Sequence, residues 1–368
     1  MLDELLTGRL HLFLAFDWGE EIDLARAKQQ RNSVYLDMRR RPRTPASIAY
    51  RVPPLRFTLD PVVISLEGLN TTEIRTAEAT VFDFGGVSVS LAIPFTMTRA
   101  ALRDLAAKLT DRSNAQTLVK SVRNLLEPLY RQLLPAIVRP DWPETLWEEY
   151  FVFQFSPGSL LVPEQLLKEQ SGWMAGLIRL EDEELSDQEV AEALRLRMRY
   201  TTYDLFVPDW AAAVLVDREE ESAETLQAVE FANLQLLEYR HIDARLDGIL
   251  NRAEQLLGRS GGQWLPFFGT DRSVRLMGEL KVEANRLFER TGNVLKLVGD
   301  QYISRVYRML STRFHLPEWE RSISHKLEVL EGVYTVLADQ SQHFRSEILE
   351  VLVVILILTE IAISIFKH

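Results

Sequence analysis

The chain has no cysteine. Disulfides, thiolate zinc sites, iron–sulfur clusters and cysteine nucleophiles are therefore excluded together. Histidine is scarce. The six histidines stand at 11, 241, 315, 325, 343 and 368, and none makes an H-E-x-x-H or other metal spacing, so neither metal nor cofactor is expected. Net positive charge is missing too. The formal charge is -11, whereas a protein built chiefly to grip nucleic acid is usually basic. There is no phosphate-cradling G-x-x-x-x-G-K, no G-x-G-x-x-G and no nucleophile-elbow G-x-S-x-G. The start, Met1-Leu2-Asp3-Glu4, carries acids where a signal peptide needs basic residues. The expectation is a non-enzymatic protein, with no small-molecule substrate, whose body stays on the cytoplasmic side.

What is present is the composition of a folded protein: 368 residues, 46% hydrophobic and 26% charged. The fold class expected is α+β, a mixed body over 1–216 followed by long helices. Leu10–Phe16 alternates like a strand. Short strands are expected at Ser47–Val52 and Val62–Leu66. The strongest local signal is a hairpin, with arms Ala79–Phe84 and Val87–Ile93 rich in β-branched and aromatic residues around Gly85-Gly86. Two helices follow, Thr98–Leu109 behind a threonine cap and Asn114–Ile137, the second with Leu118, Val122, Leu125, Leu126, Leu129 and Leu133 at helical spacing. Trp147–Phe155, Tyr203–Val207 and Ala211–Val216 complete the strands.

From residue 217 the pattern is wholly helical. One long helix is expected over Ser222–Leu257, a second from Ser273 to Thr312, and a third from Pro317, a residue well placed in a first turn. In the third, Ile323, Leu327, Leu330, Tyr334, Leu337, Phe344 and Ile348 fall on successive a/d positions, broken only by Ser341. This seam packs either on the helix of 273–312, as a coiled-coil-like hairpin within 217–347, or against a second copy in a homo-oligomer.

The last segment, 348–366, is apolar but for Glu350, Thr359, Glu360 and Ser364. Nineteen helical residues reach about 28 Å, near the ~30 Å of a hydrocarbon core. Its fourteen Leu, Ile, Val and Phe residues favour insertion by roughly 4–8 kcal/mol, against about 2.5–3.5 kcal/mol for one central charge. A single transmembrane tail anchor in a lipid bilayer is therefore expected, in the inner membrane of a bacterial-type cell. Glu360 inside it either bonds across helices when protonated or snorkels to the interface.

Three further features invite chemistry. Asp83-Phe84-Gly85 matches the magnesium tripeptide of protein kinases, but no other kinase element accompanies it and it falls in a hairpin turn. Glu148-Glu149 and the run Glu181–Glu189 read as solvated acids rather than general acids, because a catalytic carboxylate needs burial to shift its pKa. Arg39, Arg40, Arg41 and Arg43 form the one basic cluster. It either contacts RNA or another anion, or pairs with the body's own acids.

Three stretches together resemble the Rmd/YagE family: the hairpin Val81-Phe82-Asp83-Phe84-Gly85-Gly86-Val87-Ser88-Val89, then Glu230-Phe231-Ala232-Asn233-Leu234-Gln235-Leu236-Leu237-Glu238-Tyr239-Arg240, then the run from Leu327 through Ile361. Its eukaryotic members are described as required for meiotic nuclear division, and one supports mitochondrial translation. The resemblance implies a membrane-anchored, oligomeric scaffold without known catalysis that tethers translation machinery, with the ribosome or RNA as partner.

Overall fold

The computed structural model describes residues 4–30, 34–35, 49–50, 52–64, 72–74, 77–142, 146–157, 162–260, 295–296 and 301–366, with a few positions between 275 and 285. The chain forms two compact units. One gathers 1–240 and 291–317, the other 241–290 and 318–368.

The first unit is built on a mixed sheet. Its strands in chain order are β1 (Leu6–Asp17), β2 (Glu21–Ile22), β3 (Val34–Tyr35), β4 (Ala49–Tyr50), β5 (Leu55–Thr58), β6 (Val62–Ile64), β7 (Thr72–Ile74), β8 (Ala77–Val81), β9 (Gly86–Met97), β10 (Ile137–Val138), β11 (Glu148–Phe155), β12 (Leu205–Pro208), β13 (Ala212–Val216) and β14 (Leu295–Lys296). Eight of them join in the order β12-β13-β11-β1-β9-β8-β5-β3. β1 lies at the centre, antiparallel to β9 and to β11, while β11 and β13 run parallel. The parallel pair needs a crossover, which is supplied by three short helices, α4 (Pro163–Glu169), α5 (Ser171–Arg179) and α6 (Asp187–Ala193).

Both faces of β1 are covered. Leu10, Leu12, Leu14 and Phe16 enter the main core, with Leu102 and Leu105 of α2 (Arg99–Leu109) and Val122 and Leu126 of α3 (Arg112–Leu133). Ala15 faces the other way, into a smaller cluster with Phe82, Phe84, Phe231, Leu234 and Leu237. The last three residues belong to α7 (Glu219–Ser260). The Phe82–Gly85 turn brings β8 back into β9. Gly85 holds φ 99°, a conformation open chiefly to glycine, and its carbonyl accepts from the Trp18 amide at 3.0 Å. The tripeptide Asp83-Phe84-Gly85 is this turn, and Phe84 is core.

Several expected elements stand as read. Thr98 caps α2 by accepting from the Ala101 amide at 3.2 Å. The helix expected over Ser222–Leu257 is α7. Others are corrected. α3 stops at Leu133, not Ile137, because Pro135 turns the chain into a 3-10 segment that leads to β10. The expected helix from Ser273 to Thr312 is broken: β14 interrupts it, and α8 covers only Gln301–Arg313. A helical pattern does not forbid a strand where pairing with a segment distant in the chain, here β4, supplies the backbone bonds.

In the second unit Ile242, Leu246, Ile249 and Ala253 of α7 are buried, as are Ile323 and Leu330 of α9 (Leu316–Phe366). Lys326 of α9 reaches Asp243 at 2.8 Å and Asp247 at 2.6 Å. The seam's home partner thus includes α7 rather than only the 273–312 segment. Lys281 also pairs with Glu331 and lies 5.1 Å over the Tyr334 ring.

The transmembrane anchor is overturned. Among the described residues no helix is long and apolar enough to cross a membrane. The single-pass, tail-anchored placement and the lipid bilayer as partner are not supported.

Candidate functional site

The first half of α7 lies on the sheet face that carries Ala15, and it is seated there by polar groups as much as by apolar ones. Register sets a row across three strands: Arg56 on β5 stands beside Thr80 on β8, and Thr80 beside Ser88 on β9. Above it sits Glu230 of α7, 3% exposed. Arg56 Nη2 donates to Glu230 Oε2 at 3.0 Å, Arg56 Nη1 pairs with Glu78 at 3.2 Å, and Arg56 Nε donates to Thr80 Oγ1 at 3.3 Å. Burial raises the Glu230 pKa. Arg56, then the hydroxyls of Thr80 and Ser88, pull it back, and Glu78 pushes it up again. The balance is an acid whose charged form is disfavoured despite an adjacent guanidinium.

A second chain of polar groups links β1 to the start of α7. The His11 imidazole is 2.6 Å from Gln154 Oε1, Gln154 Nε2 donates to Ser222 Oγ at 2.9 Å, and Ser222 Oγ donates to the Glu219 carbonyl at 2.9 Å. Burial lowers the His11 pKa, and the Gln154 bond opposes it. A serine and a histidine on one string resemble a nucleophile and its base, but Gln154 separates them. An amide cannot relay the proton, so Ser222 has no base within hydrogen-bond reach on this string. Arg9 pairs with Glu219 beside this string. Further along, Glu148 on β11 pairs with Arg240 of α7.

A third cluster fixes α8. Arg313, 8% exposed, donates to the Glu192 carbonyl at 2.7 Å, to the Ala193 carbonyl at 2.9 Å and to the Pro208 carbonyl at 3.2 Å. It thereby adds a charged donor to carbonyls at the C-terminal end of α6, where the helix leaves carbonyls short of intrahelical partners. Arg313 also stands 3.6 Å from Asp209, which Arg179 approaches to 2.7 Å from the other side. Burial raises the Asp209 pKa, and the two arginines lower it. The Tyr150 hydroxyl donates to the Asp209 carbonyl at 2.8 Å.

These clusters do the work of salt bridges and caps. Each buried charge has an opposite partner, and no nucleophile meets a base within any of them. The profile of a family described as "Uncharacterized protein MJ0711, N-terminal domain" matches residues 7–223. The chain belongs to that family. A relative from Methanocaldococcus jannaschii, "Uncharacterized protein MJ0711", is 26% identical over 273 residues, which is 72% of this chain and 83% of the relative. No solved structure matches. Neither match carries the Rmd/YagE name, so what is shown is membership of an uncharacterized family. The matched region holds His11, Arg56, Gln154, Asp209 and Ser222, and ends before Glu230.

The residues expected to act are placed as follows. Ile323 and Leu330 are buried, while Leu327 and Tyr334 are half-buried. The side chains of Leu337, Phe344, Ile348 and Glu360 lie outside the described residues, as do Arg39, Arg40, Arg41 and Arg43 altogether. Glu148 and Glu149, read as solvated, are half-buried on β11, and burial raises the Glu149 pKa. The run from Glu181 is indeed exposed. Its backbone is held by Arg103, which donates to the carbonyls of Glu181, Asp182 and Glu183 at 2.9–3.1 Å. Sequence reasoning missed Arg56, Glu230 and Arg313. A signal for Glu230 was available: it directly follows Val229, on the edge of the apolar stripe of α7, where a glutamate must be paired if it is buried.

Proposed function

We propose that this protein is a non-enzymatic, homo-oligomeric interaction scaffold, in which α9 supplies the contact between copies. The observation that carries this reading is a second apolar stripe on α9. Ile323 and Leu330 are buried at home. Val329 and Val336, a different face of the same helix, are 41% and 51% exposed. Val333 lies between them, and a Cβ placed on Gly332 would meet nothing within 4 Å. Spacings of three, four and seven residues put these four positions on one line. A helix that has already spent one stripe on its own fold has no structural need for a second.

The partner to test is translation machinery, the ribosome or RNA, which is what the Rmd/YagE resemblance implies. Sizing by light scattering tests the assembly. The wild type is expected above monomer mass, and Val329→Lys with Val336→Lys is expected to lower it with unchanged helix content. A monomeric wild type defeats the reading. Purification of the tagged full chain from native cells tests the partner: enriched ribosomal subunits or RNA support the tether, and their absence limits the role to self-association.

A further inference from the structure

We infer that the outer edge of the eight-stranded sheet carries a binding surface for single-stranded nucleic acid, built from Arg197, Arg199 and Tyr200. The inference is independent of the self-association proposed above, and it gives the RNA named there a place on the first unit. Residues 195–203 read Arg-Leu-Arg-Met-Arg-Tyr-Thr-Thr-Tyr, three arginines and two tyrosines without an acid, in a chain of formal charge -11. Arginines with an exposed aromatic ring match what a single strand offers, phosphates along its backbone and a flat face on every base.

Sheet geometry turns the arginines outward. β12 ends the sheet, and Met198 closes its free edge by a reciprocal pair. The Met198 amide donates to the Phe206 carbonyl and the Phe206 amide to the Met198 carbonyl, both at 2.9 Å. Successive side chains alternate along such a segment. Met198 turns in and is buried, whereas Arg197 and Arg199 turn out and are exposed. Each guanidinium gives one bond to a nearby carbonyl, Arg197 to Leu194 at 3.1 Å and Arg199 to Thr202 at 2.8 Å. A carbonyl orients the group but leaves its charge and its other donors available. Among the described residues neither arginine has a carboxylate within ion-pair distance. The neighbouring acids are engaged elsewhere, Glu192 with Arg195 and Arg313, and Glu164 with Lys168. Buried Asp204 folds the turn that presents the rings, accepting from the Tyr200 amide at 2.8 Å and from the Thr201 amide and hydroxyl. Tyr200 is 68% exposed, yet its ring is braced by a T-shaped contact with Tyr302 of α8 at 5.8 Å. Tyr203 is held under the Arg218 guanidinium at 4.9 Å. Glu219, Glu220 and Glu221 follow Arg218 directly, so Arg218 is assigned to the ring and not to phosphate. Cations alone would suit any anion. The fixed, open ring beside them is what favours a strand with bases to stack.

The full chain is titrated into fluorescein-labelled oligouridylate and oligothymidylate of about 16 nucleotides, and anisotropy is read at several salt concentrations. The strand bound more tightly tells RNA from DNA. Each phosphate contact on a single strand adds about 0.7 to the slope of log affinity against log salt. Arg197→Gln with Arg199→Gln is therefore expected to flatten the slope by about 1.4 and to weaken binding. Tyr200→Ala is expected to weaken binding about 5-fold to 150-fold, the worth of one stacked base, with the slope unchanged. Tyr200→Phe, which keeps the ring, is expected to bind as the wild type does. Thermal unfolding checks that each variant is folded. Binding that the arginine pair and Tyr200→Ala both retain overturns the inference and leaves the RNA partner proposed above to another surface, such as Arg39–Arg43. No binding to either strand overturns the inference and that RNA partner together, while self-association is still decided by light scattering. Binding that falls in the arginine pair but not in Tyr200→Ala, with equal affinity for phosphatidylserine vesicles, assigns the surface to anions in general and also overturns it.

Discussion

Glu230 is an acid whose charge the fold works against, so removing that charge is expected to stabilise the protein above the acid range. The substitution Glu230→Gln keeps the shape and both polar atoms of the side chain. Below about pH 3.5, well under the ordinary glutamate pKa of about 4.3, the wild-type carboxyl is protonated in both folded and unfolded chains. The glutamine is then nearly isosteric, and the two proteins are expected to agree within about 1 kcal/mol, the scale of one altered hydrogen bond. The folded pKa is raised by burial. Stability from the protonated form is thus fully present below the unfolded pKa and is lost as pH rises through the folded one. Glutamine does not titrate and loses nothing. Each unit by which the folded pKa exceeds the unfolded value favours the variant by about 1.4 kcal/mol at neutral pH. The Arg56 pair does not reverse this sign, because Arg56 stands 3.2 Å from Glu78 and keeps that partner in the variant. Urea unfolding followed by tryptophan fluorescence at about pH 3.5 and about pH 7.5, on either side of the ordinary glutamate pKa, measures both differences. A Glu230→Gln protein that is increasingly destabilised as pH rises would refute the reasoning, since the ion pair with Arg56 would then outweigh the burial of the carboxylate.

Two further outcomes follow from the same packing. A Cβ added at Gly176 would stand within 2.6 Å of three Arg103 guanidinium atoms, so Gly176→Ala displaces Arg103 from the carbonyls of 181–183. The loss of three bonds is expected to outweigh the ~1 kcal/mol gained in helix propensity, giving a net cost of about 1–2 kcal/mol. In an Arg103→Ala background the same change should stabilise the protein, and a double-mutant cycle by thermal unfolding reads the reversal. Arg313→Ala removes one of the two arginines beside buried Asp209 and the side-chain donor to the Glu192, Ala193 and Pro208 carbonyls. A cost of about 3–5 kcal/mol is expected in denaturant unfolding. A cost below 1 kcal/mol would mean that Arg179 neutralises Asp209 unaided.

Much of the architecture was legible because it is local. The β8–β9 hairpin follows from β-branched arms around a glycine turn, α2 from its threonine cap, and α7 from its periodicity. The break in the expected 273–312 helix was not legible, because Leu295 and Lys296 pair with Tyr50 and Ala49 across more than two hundred residues of chain. The tail is the converse case. Its composition reads as a membrane span, yet among the described residues no helix is long and apolar enough to cross a membrane.

By itself, the sequence determined which residues must be hidden, in the alternating strands and the apolar stripes of α3 and α7, and it lacks any thiol or phosphate-loop motif. Those follow from hydrophobicity and backbone preference, which act between neighbours in the chain. Only the tertiary structure decided which polar groups are hidden with them. Arg56, Thr80, Ser88 and Glu230 are unremarkable surface types until register stacks three strands beneath one helix. The physical reason is that a buried charge is tolerated only by its partner's position, and position is set by pairing between strands distant in the chain.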